Sequence, residues 1–377
     1  MSAPKEVRFG IIGGGLMGRE FASAVARWLH LTNPAAKPVI TGICDLNPEV
    51  RFWFETHVPT VSVSTDDYHA LLDSDAVDAI YCAVPHNLHE QLYVDIIQAG
   101  KHLLGEKPFG IDKPANDAIM AAIKAKPDVF VRCSSEFPFF PGAIAVSKAI
   151  ANGEMGDVIG VDAGFLHSSD LDPNKPINWK RQIAFNGAYG CMGDLGLHVM
   201  HIPLRNGWMP SRVSAQLSNI VTERRNADGE MLPCETWDNG SIHTMVTPET
   251  GPDFPLSMHM KRIAPGETNS WYIRVDGTRK SMVYSTKSPK LLQWMDYESG
   301  QPQAWKHLDL GYASAYPTVT GGIFEFGFPD SFQQMWAAYL DEMVNGRDGM
   351  SQPFHCATPE EAAQSHAIMT AALANPI

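Results

Sequence analysis

The chain has 377 residues, of which 44% are hydrophobic and 19% charged, and its formal net charge is −13. This length allows two domains with sizeable cores, and the composition is that of an ordinary globular protein. The acidic balance argues against broad binding of nucleic acid, which needs a basic surface, although a local basic pocket could still bind a small anionic ligand.

The first third of the chain alternates strand-like and helix-like segments. Apolar runs predict strands at residues 7–13, 38–44, 78–85, 101–108 and 128–137, and helical periodicity predicts helices at 18–30 and 90–100. This alternation predicts a parallel sheet with helices on both faces. We therefore expect a first domain over residues 1–138.

The pattern changes after residue 138. Helical segments are predicted near 142–151, 190–205, 330–345 and 358–373, with long β-rich runs between them. The run 270–285 contains the turn VDGT and predicts a hairpin. We expect a second, α+β domain over residues 139–377 with a large, mostly antiparallel open sheet, its C-terminal helix able to pack back on the first domain.

A glycine-rich turn follows the first predicted strand and opens the first helix. Its sequence, GIIGGGLMGRE, contains Gly13-x-Gly15-x-x-Gly18. Gly13 permits a tight turn, Gly15 lets the backbone approach a pyrophosphate at the helix N-terminus, and Gly18 lets the helix pack on the sheet. The context predicts a doubly wound Rossmann sheet that binds NAD through Gly13, Gly15, Leu16 and Met17.

Asp45 ends the second predicted strand, in ICDLNP, and is placed to accept hydrogen bonds from the adenosine ribose hydroxyls. A carboxylate there repels a 2′-phosphate, and the nearest Arg is Arg51, so NAD is favoured over NADP. The spacing from the glycines is long because of an insert at residues 29–38. An alternative is that Asp45 only stabilises the turn beside Asn47 and Pro48.

The chain resembles the Gfo/Idh/MocA family of oxidoreductases. The motifs that carry the resemblance are GIIGGGLMG, CAVPHNLHEQ, AGKHLLGEKPFG, GCMGDLGLHVMH and CATPEEAAQSHAIMTAAL, which span almost the whole chain. The resemblance implies a Rossmann domain followed by a domain with a large open sheet. It also implies NAD(P)-dependent oxidation or reduction of sugars or inositols, and dimers or tetramers formed through that sheet.

The resemblance assigns roles to the GEKPFG segment and to the helix near residue 195. It implies that Lys107 contacts the substrate hydroxyl and the nicotinamide ribose, that Glu106 lies near the cofactor, and that Asp194 and His198 lie over the nicotinamide. A Lys at the carboxyl end of a parallel strand can stabilise a developing alkoxide. His198 is the natural proton acceptor, and Asp194 could bind a neighbouring sugar hydroxyl.

His201 lies on the same predicted helix face as Asp194 and His198, at i+7 from Asp194. Many relatives carry an Asp where this chain has His201, so a proton relay there is not assigned, and we place His201 among the substrate-binding candidates. The three side chains could also suggest a metal site. The family works without metal and the nicotinamide already supplies the electrophile, so no metal is predicted.

Two further segments supply candidate ligand contacts. In PHNLHE, the resemblance makes Pro85, Asn87 and His89 cofactor candidates, while Asn87 and Glu90 equally resemble a helix capping box. In INWKRQIAFNG, Trp179 is expected to pack on a sugar ring. Lys180 and Arg181 are expected either to grip an anionic substituent or to form a solvated basic pair.

These observations favour an NAD-dependent oxidoreductase that acts on a secondary hydroxyl of a sugar, glycoside or cyclitol. The alternative is an NAD-dependent glycosidase that oxidises C3 transiently, eliminates the aglycone, adds water and reduces again, with an anionic sugar such as a sulfoquinovoside as a candidate substrate. A third possibility is a non-catalytic NAD-binding regulator. We expect a carbohydrate as the small-molecule partner, a homo-oligomer, and no nucleic acid or membrane partner.

The six cysteines indicate the compartment. They lie at positions 44, 82, 133, 191, 234 and 356, none forms a CxxC pair, and several lie in strand-like runs. We interpret them as reduced core thiols of a cytoplasmic protein. The N-terminal residues match no signal peptide and no long apolar run occurs, so no membrane anchor is expected.

Overall fold

The computed structural model describes residues 5–311 and 313–377. The first part of the chain forms a six-stranded sheet with the strand order β3-β2-β1-β4-β5-β6, in which every pair is parallel. Its strands are β1 (Lys5–Ile12), β2 (Ala36–Cys44), β3 (Val63–Thr65), β4 (Ala79–Cys82), β5 (His102–Gly105) and β6 (Val131–Cys133). The central strands are buried on both faces, as their continuous apolar runs require.

Five helices connect these strands. They are α1 (Leu16–Ala26), α2 (Pro48–His57), α3 (His69–Leu72), α4 (His89–Gln98) and α5 (Lys113–Ala125). The side chains of Asn47 and Asp112 cap α2 and α5, and a Pro follows at the first helical position of α2 and at the second of α5. The strand predicted at 128–137 is too long, because only β6 pairs in the sheet and the chain turns into a 3-10 helix at Phe137–Phe139.

The second part of the chain forms an eight-stranded sheet with the order β16-β15-β14-β13-β7-β12-β11-β8. Its strands are β7 (Val158–Leu166), β8 (Pro210–Ser218), β11 (Asn239–Val246), β12 (Phe254–Lys261), β13 (Ser270–Gly277), β14 (Lys280–Ser285), β15 (Leu291–Asp296) and β16 (Lys306–Asp309), while β9 (Glu223–Arg225) and β10 (Met231–Pro233) form a separate pair. Only β7 and β12 are parallel neighbours in it. The predicted hairpin is β13–β14, and the predicted fold class is confirmed.

The helices of this part are α6 (Pro141–Ala151), α7 (Ile183–Asn186), α8 (Cys191–Arg205), α9 (Phe328–Asn345) and α10 (Pro359–Ala374). Helices α6 and α8 cover one face of the large sheet and enclose its core. The strands alternate in burial, so the other face presents half-buried polar side chains such as Ser241, His243 and His259. The homo-oligomer remains a prediction.

Two C-terminal helices return to the first part of the chain. Trp336 of α9 stacks on Phe21 with ring centroids 3.8 Å apart and meets Phe9 and Tyr81 edge-on, so α9 completes the core above the parallel sheet. Helix α10 packs between α5 and α8. The boundary at residue 138 remains a prediction, but the first core takes one helix from far beyond it.

All six cysteines are buried free thiols. In the described ranges, no helix combines the length and apolar character needed to cross a membrane.

Candidate active site

A cavity of about 630 Å³ lies where the carboxyl edge of the parallel sheet faces α8. The glycine turn after β1 and the loops after β4 and β5 supply one wall, and the second part of the chain supplies the other. The cavity lining includes Gly15, Leu16, Met17, Glu20, Pro85, His86, Glu106, Lys107, Glu136, Phe137, Phe165, His167, Trp179, Lys180, Asp194 and His198. Ligands of open α/β sheets bind at this edge.

The glycine turn fits a dinucleotide pyrophosphate. Gly13 has φ +89°, and a Cβ there would lie 2.4 Å from the carbonyl oxygen of Ala83. A Cβ on Gly18 would lie 2.6 Å from the carbonyl oxygen of Gly13, whereas Gly15 faces open space. Since α1 begins at Leu16, its first-turn N–H groups point toward that space.

Asp45 lies at the end of β2, and its carboxylate organises the turn. Its Oδ2 accepts a hydrogen bond from the amide of Gly14 (2.9 Å), and its Oδ1 accepts one from the amide of Asn47 (2.8 Å). The turn-stabilising alternative therefore describes part of what Asp45 does. Arg51 donates to the carbonyl oxygen of Asp45. Ribose recognition by Asp45 stays a prediction.

Asp194 is a buried carboxylate at the centre of a cluster of charged side chains. Lys107 Nζ donates to its Oδ1 (2.9 Å), Lys180 Nζ donates to both oxygens (2.9 Å each), and Arg262 Nη1 donates to its Oδ2 (2.6 Å). Arg262 also bonds Asp170. Burial alone would raise the pKa of Asp194, but Lys107, Lys180 and Arg262 hold it well below its usual value, so the carboxylate is ionised.

The two lysines of the cluster differ in pKa. Burial lowers the pKa of Lys107, but the nearby carboxylates of Asp194 and Glu106 outweigh burial and raise it above the usual value. Lys107 is therefore a permanent cation. For Lys180, burial together with Arg262 and Lys107 outweighs Asp194 and lowers the pKa to about 8. Lys180 therefore titrates just above neutral pH.

His198 lies one turn along α8 from Asp194, but the two side chains do not bond to each other. Its Nδ1 lies 3.3 Å from Ser135 Oγ, and its backbone carbonyl accepts a hydrogen bond from Trp271 Nε1 (2.8 Å). Within residues 5–311 and 313–377, Nε2 has no hydrogen-bond partner, and the ring lines the cavity. Burial lowers the pKa of His198 well below 6.5, so the imidazole is neutral and can accept a proton.

Two buried carboxylates line the cavity beside Lys107. Glu106 Oε1 accepts a hydrogen bond from Tyr81 Oη (2.7 Å). Glu136 is 4% exposed, and burial, followed by the charge of Glu106, raises its pKa to about 8. The sequence analysis missed Glu136 because it lay inside the strand predicted at 128–137. An acidic residue three positions after β6, at the carboxyl edge of the sheet, is the signal that could have identified it.

Arg181 does not reach the cavity, contrary to the sequence-based expectation. It is fully buried, and its Nη2 donates to Asn219 Oδ1 (2.7 Å), the carbonyl oxygen of Val221 (2.7 Å) and Asp238 Oδ2 (3.1 Å). Lys180 and Arg181 occupy successive positions of a 3-10 turn, so their side chains diverge. Of the three candidates in this segment, Trp179 and Lys180 line the cavity.

His201 also lies away from the cavity. Its fully buried ring has Nε2 3.7 Å from Glu361 Oε2, between α8 and α10. It shares a helix face with Asp194, but seven residues correspond to about 10 Å along the axis, too far to line the same site. His201 is not among the residues that line the cavity, and substrate binding by His201 stays a prediction from sequence. The described residues contain no cluster of three His, Cys, Asp or Glu suited to a metal.

The loop after β4 differs from its predicted form. Asn87 lies exposed in a 3-10 turn, and α4 begins at His89 without a side-chain cap, so there is no capping box. His89 is buried, with Nε2 3.1 Å from the carbonyl oxygen of Val84 and its ring stacked on Tyr93. Pro85 lines the cavity, but Asn87 and His89 do not.

Three basic residues of the site region were not assigned from sequence. His86 contacts Trp179 edge-on, and its Nδ1 lies 3.2 Å from the carbonyl oxygen of Asn186. His167 lines the cavity, and burial lowers its pKa to about 4. Arg262 lies in a Lys-Arg pair at the end of β12, and no feature of the sequence favoured this pair over the one at 180–181.

Comparisons with known proteins agree with this geometry. Residues 7–132 match the model of the oxidoreductase family GFO_IDH_MocA, NAD-binding Rossmann fold. The chain is 28% identical over 309 residues to levoglucosan dehydrogenase of Pseudarthrobacter phenanthrenivorans, covering 77% of this chain and 76% of that protein. It is 24% identical over 293 residues to glucose-6-phosphate 3-dehydrogenase of Bacillus subtilis, covering 77% of each chain.

Solved structures share the fold over nearly the whole length. A levoglucosan dehydrogenase in complex with NADH and levoglucosan superposes with a TM-score of 0.84 over 98% of this chain and 97% of that one, at 23% identity. An oxidoreductase domain protein from Kribbella flavida superposes with a TM-score of 0.85 over 98% of each chain, at 20% identity. At these identities the likeness shows the fold alone.

Proposed function

We propose that this chain, which carries the NAD-binding Rossmann domain of the Gfo/Idh/MocA oxidoreductase family at residues 7–132, oxidises a secondary hydroxyl of a sugar, glycoside or cyclitol. The observation that carries the proposal is that the glycine turn, Lys107 and His198 all line one cavity. Two sugar dehydrogenases among its relatives support the substrate class.

The chemistry divides between the cofactor and two side chains. NAD+, when bound at the glycine turn and Asp45, supplies the hydride acceptor. Neutral His198 accepts the proton of the reacting hydroxyl through Nε2. Lys107 donates a hydrogen bond to the same oxygen and stabilises the negative charge that develops there.

Asp194 acts in this scheme by holding cations in place. The sequence suggested that it binds a sugar hydroxyl, but both its oxygens already accept hydrogen bonds from Lys107, Lys180 and Arg262. It keeps Lys107 charged and oriented toward the cavity. Asp194 therefore positions the lysine that contacts the substrate.

The site suits a neutral sugar better than an anionic one. Arg181 is bound to Asp238, and Lys180 is occupied by Asp194, so the pair expected to grip an anion is not free to do so. Trp179 lines the cavity and can pack on a sugar ring, and its neighbour Lys180 can bind a hydroxyl. The argument for a sulfoquinovoside loses its main support.

A dehydrogenase assay tests the proposal. Purified protein is incubated with NAD+ and a panel of neutral sugars and cyclitols, levoglucosan included, and with charged sugars, while NADH absorbance is followed. We expect NADH to form with at least one neutral sugar. Binding of NAD+ without NADH formation on any member would instead favour the regulator.

The same assay separates the glycosidase alternative, which stays a prediction from sequence. With a nitrophenyl glycoside, a dehydrogenase forms NADH in step with product and releases no aglycone. Aglycone release over many turnovers without net NADH would identify the internal-redox glycosidase and overturn the net oxidation proposed here.

A further inference from the structure

Glu136 and His198 approach each other on the side of the imidazole away from its free nitrogen. Glu136 Oε2 lies 4.0 Å from His198 Nδ1, and both side chains are almost completely buried. Ser135 Oγ lies 3.3 Å from the same nitrogen. The two polar partners of Nδ1 therefore come from the loop after β6, whereas Nε2 faces the cavity.

The Glu136 carboxylate has no hydrogen-bond donor from any other residue that the structure describes. It lines the cavity, is 4% exposed and accepts no hydrogen bond from another described residue. A small side-chain rotation or one bridging water would close the gap to Nδ1. An unpartnered buried carboxylate is costly unless it has a task or shares a proton.

Asp194 is not available as the partner of His198. Its oxygens bind three cations, and it makes no hydrogen bond to the imidazole. The buried imidazolium of His198 is itself a poor resting place for a proton, because Lys107 lies close by and burial disfavours the charge. A proton taken from the substrate must therefore move on from His198.

We propose that Glu136 receives, through His198, the proton released by the substrate hydroxyl. In this step the C–H bond breaks and its hydrogen leaves with both electrons for NAD+, while the O–H proton passes to Nε2 and the Nδ1 proton passes to the Glu136 carboxylate. Alcohol, NAD+ and carboxylate become carbonyl, NADH and carboxylic acid. The inference rests on the proposed function, since it concerns the same oxidation.

Several charged or titratable groups face Glu136. Glu106 follows β5 and raises the pKa of Glu136, Lys107 lowers it, and His198 approaches from α8. Tyr81 on β4 also senses the charge of Glu136. The resulting value of about 8 means that Glu136 can accept a proton only in mildly alkaline solution. Oxidation should therefore slow as the pH falls through 8, since the carboxyl is then already protonated.

The kinetic test uses Glu136→Gln, which keeps the shape and removes the proton acceptor. We expect kcat for sugar oxidation to fall by about a hundredfold, the low end of acid–base effects, with KM little changed. The limb of the pH profile near 8, which is the fall of kcat as the pH drops through that value, should disappear. Glu136→Asp should retain more activity than Glu136→Gln at equal thermal stability.

Two control variants identify the group responsible for that limb. Lys180 also titrates near pH 8, so Lys180→Gln should keep the limb if Glu136 causes it. Glu20→Gln neutralises another carboxylate of the cavity lining and should also keep it. A folded Glu136→Gln protein with wild-type kcat and an unchanged pH profile would overturn the proposal.

A second readout needs neither substrate nor cofactor. Infrared difference spectra of wild type and Glu136→Gln should reveal a protonated carboxyl band that is lost on raising the pH, and His198→Asn should move its midpoint. An unchanged midpoint of the carboxyl band in His198→Asn would show that Glu136 and His198 do not act as a pair and would overturn the proposal. If wild type oxidises no sugar but this coupling is observed, the proposed function fails and the proton pair stands.

Discussion

Lys107 and Asp194 lie 87 residues apart in the chain, yet Lys107 Nζ is 2.9 Å from Asp194 Oδ1. The contact joins the loop after β5 to the first turn of α8, so the two parts of the chain meet across the cavity through a buried ion pair. Each partner fixes the charge of the other. Chemistry at this cavity therefore depends on how the second part of the chain packs on the first.

The first prediction concerns the two catalytic candidates. Lys107→Ala and His198→Ala should each lower kcat by roughly 10² or more, because the first removes stabilisation of the alkoxide and the second removes the proton acceptor. NAD+ affinity, measured by fluorescence titration, should change much less. A near-normal rate in either variant would remove that residue from the mechanism.

The second prediction concerns Asp194. Asp194→Ala leaves Lys107, Lys180 and Arg262 without their shared counter-charge, and breaking a buried ion pair in this way costs about 3–5 kcal/mol. We expect a lower free energy of unfolding in denaturant titration and a large loss of activity. Asp172→Ala, at an exposed position outside the cluster, serves as the control and should leave both close to wild type.

The third prediction concerns the choice of cofactor. Asp45→Ala should weaken NAD+ binding and narrow the preference over NADP+, because the carboxylate that opposes a 2′-phosphate is gone while Arg51 remains beside the turn. Titration of both cofactors measures this. An unchanged ratio of the two dissociation constants would show that Asp45 does not read the ribose.

The fourth prediction concerns Arg181, which was expected from sequence to bind an anionic substituent of the substrate. Arg181→Ala leaves Asp238 buried and unpaired, so it should lower the free energy of unfolding by about 3–5 kcal/mol. Thermal and denaturant unfolding test this, with Arg212→Ala at the exposed surface as a control that should be nearly neutral. Any activity that remains should fall equally on charged and neutral sugars. A loss of activity that is selective for charged sugars would instead support binding of an anionic substituent by Arg181.

The fifth prediction follows from the pKa of Glu136. Its value rises from 4.5 to about 8 in the folded protein, so between these values the native state holds a proton that the unfolded state releases. The stability that this proton contributes is complete below pH 4.5 and is lost as the pH rises through 8. Glu136→Gln should flatten that decline in denaturant unfolding across pH 5–9. An unchanged decline would mean that Glu136 ionises normally.

Local pattern was enough for much of the fold and for the cofactor. Periodicity located α6, α8, α9 and α10, the β13–β14 hairpin and the alternating first part, because burial of one face leaves a local signature. The glycine turn is contiguous and its steric demands fall on its own residues. The family resemblance and NAD as cofactor, both inferred from such motifs, are confirmed.

Sequence also placed Lys107, His198, Trp179 and Lys180 in segments that do line the cavity. It could not say what each side chain contacts. Neighbouring residues diverge in a short turn, as Lys180 and Arg181 do. Helix periodicity gives the face on which a residue lies but not its distance along the axis, so it could not show that His201 lies beside Glu361.

What the sequence by itself determined was therefore the Rossmann turn, the cofactor and the motifs to which the proposed chemistry is assigned, since these depend on residues close together in the chain. Only the tertiary structure decided the partners of the buried charges. From sequence, Asp194 was a candidate to bind a sugar hydroxyl and Glu136 was not singled out, whereas the folded chain brings Lys107 to Asp194 and Glu136 to His198. Charge and protonation depend on burial and on neighbours distant in sequence, and packing alone brings those neighbours together.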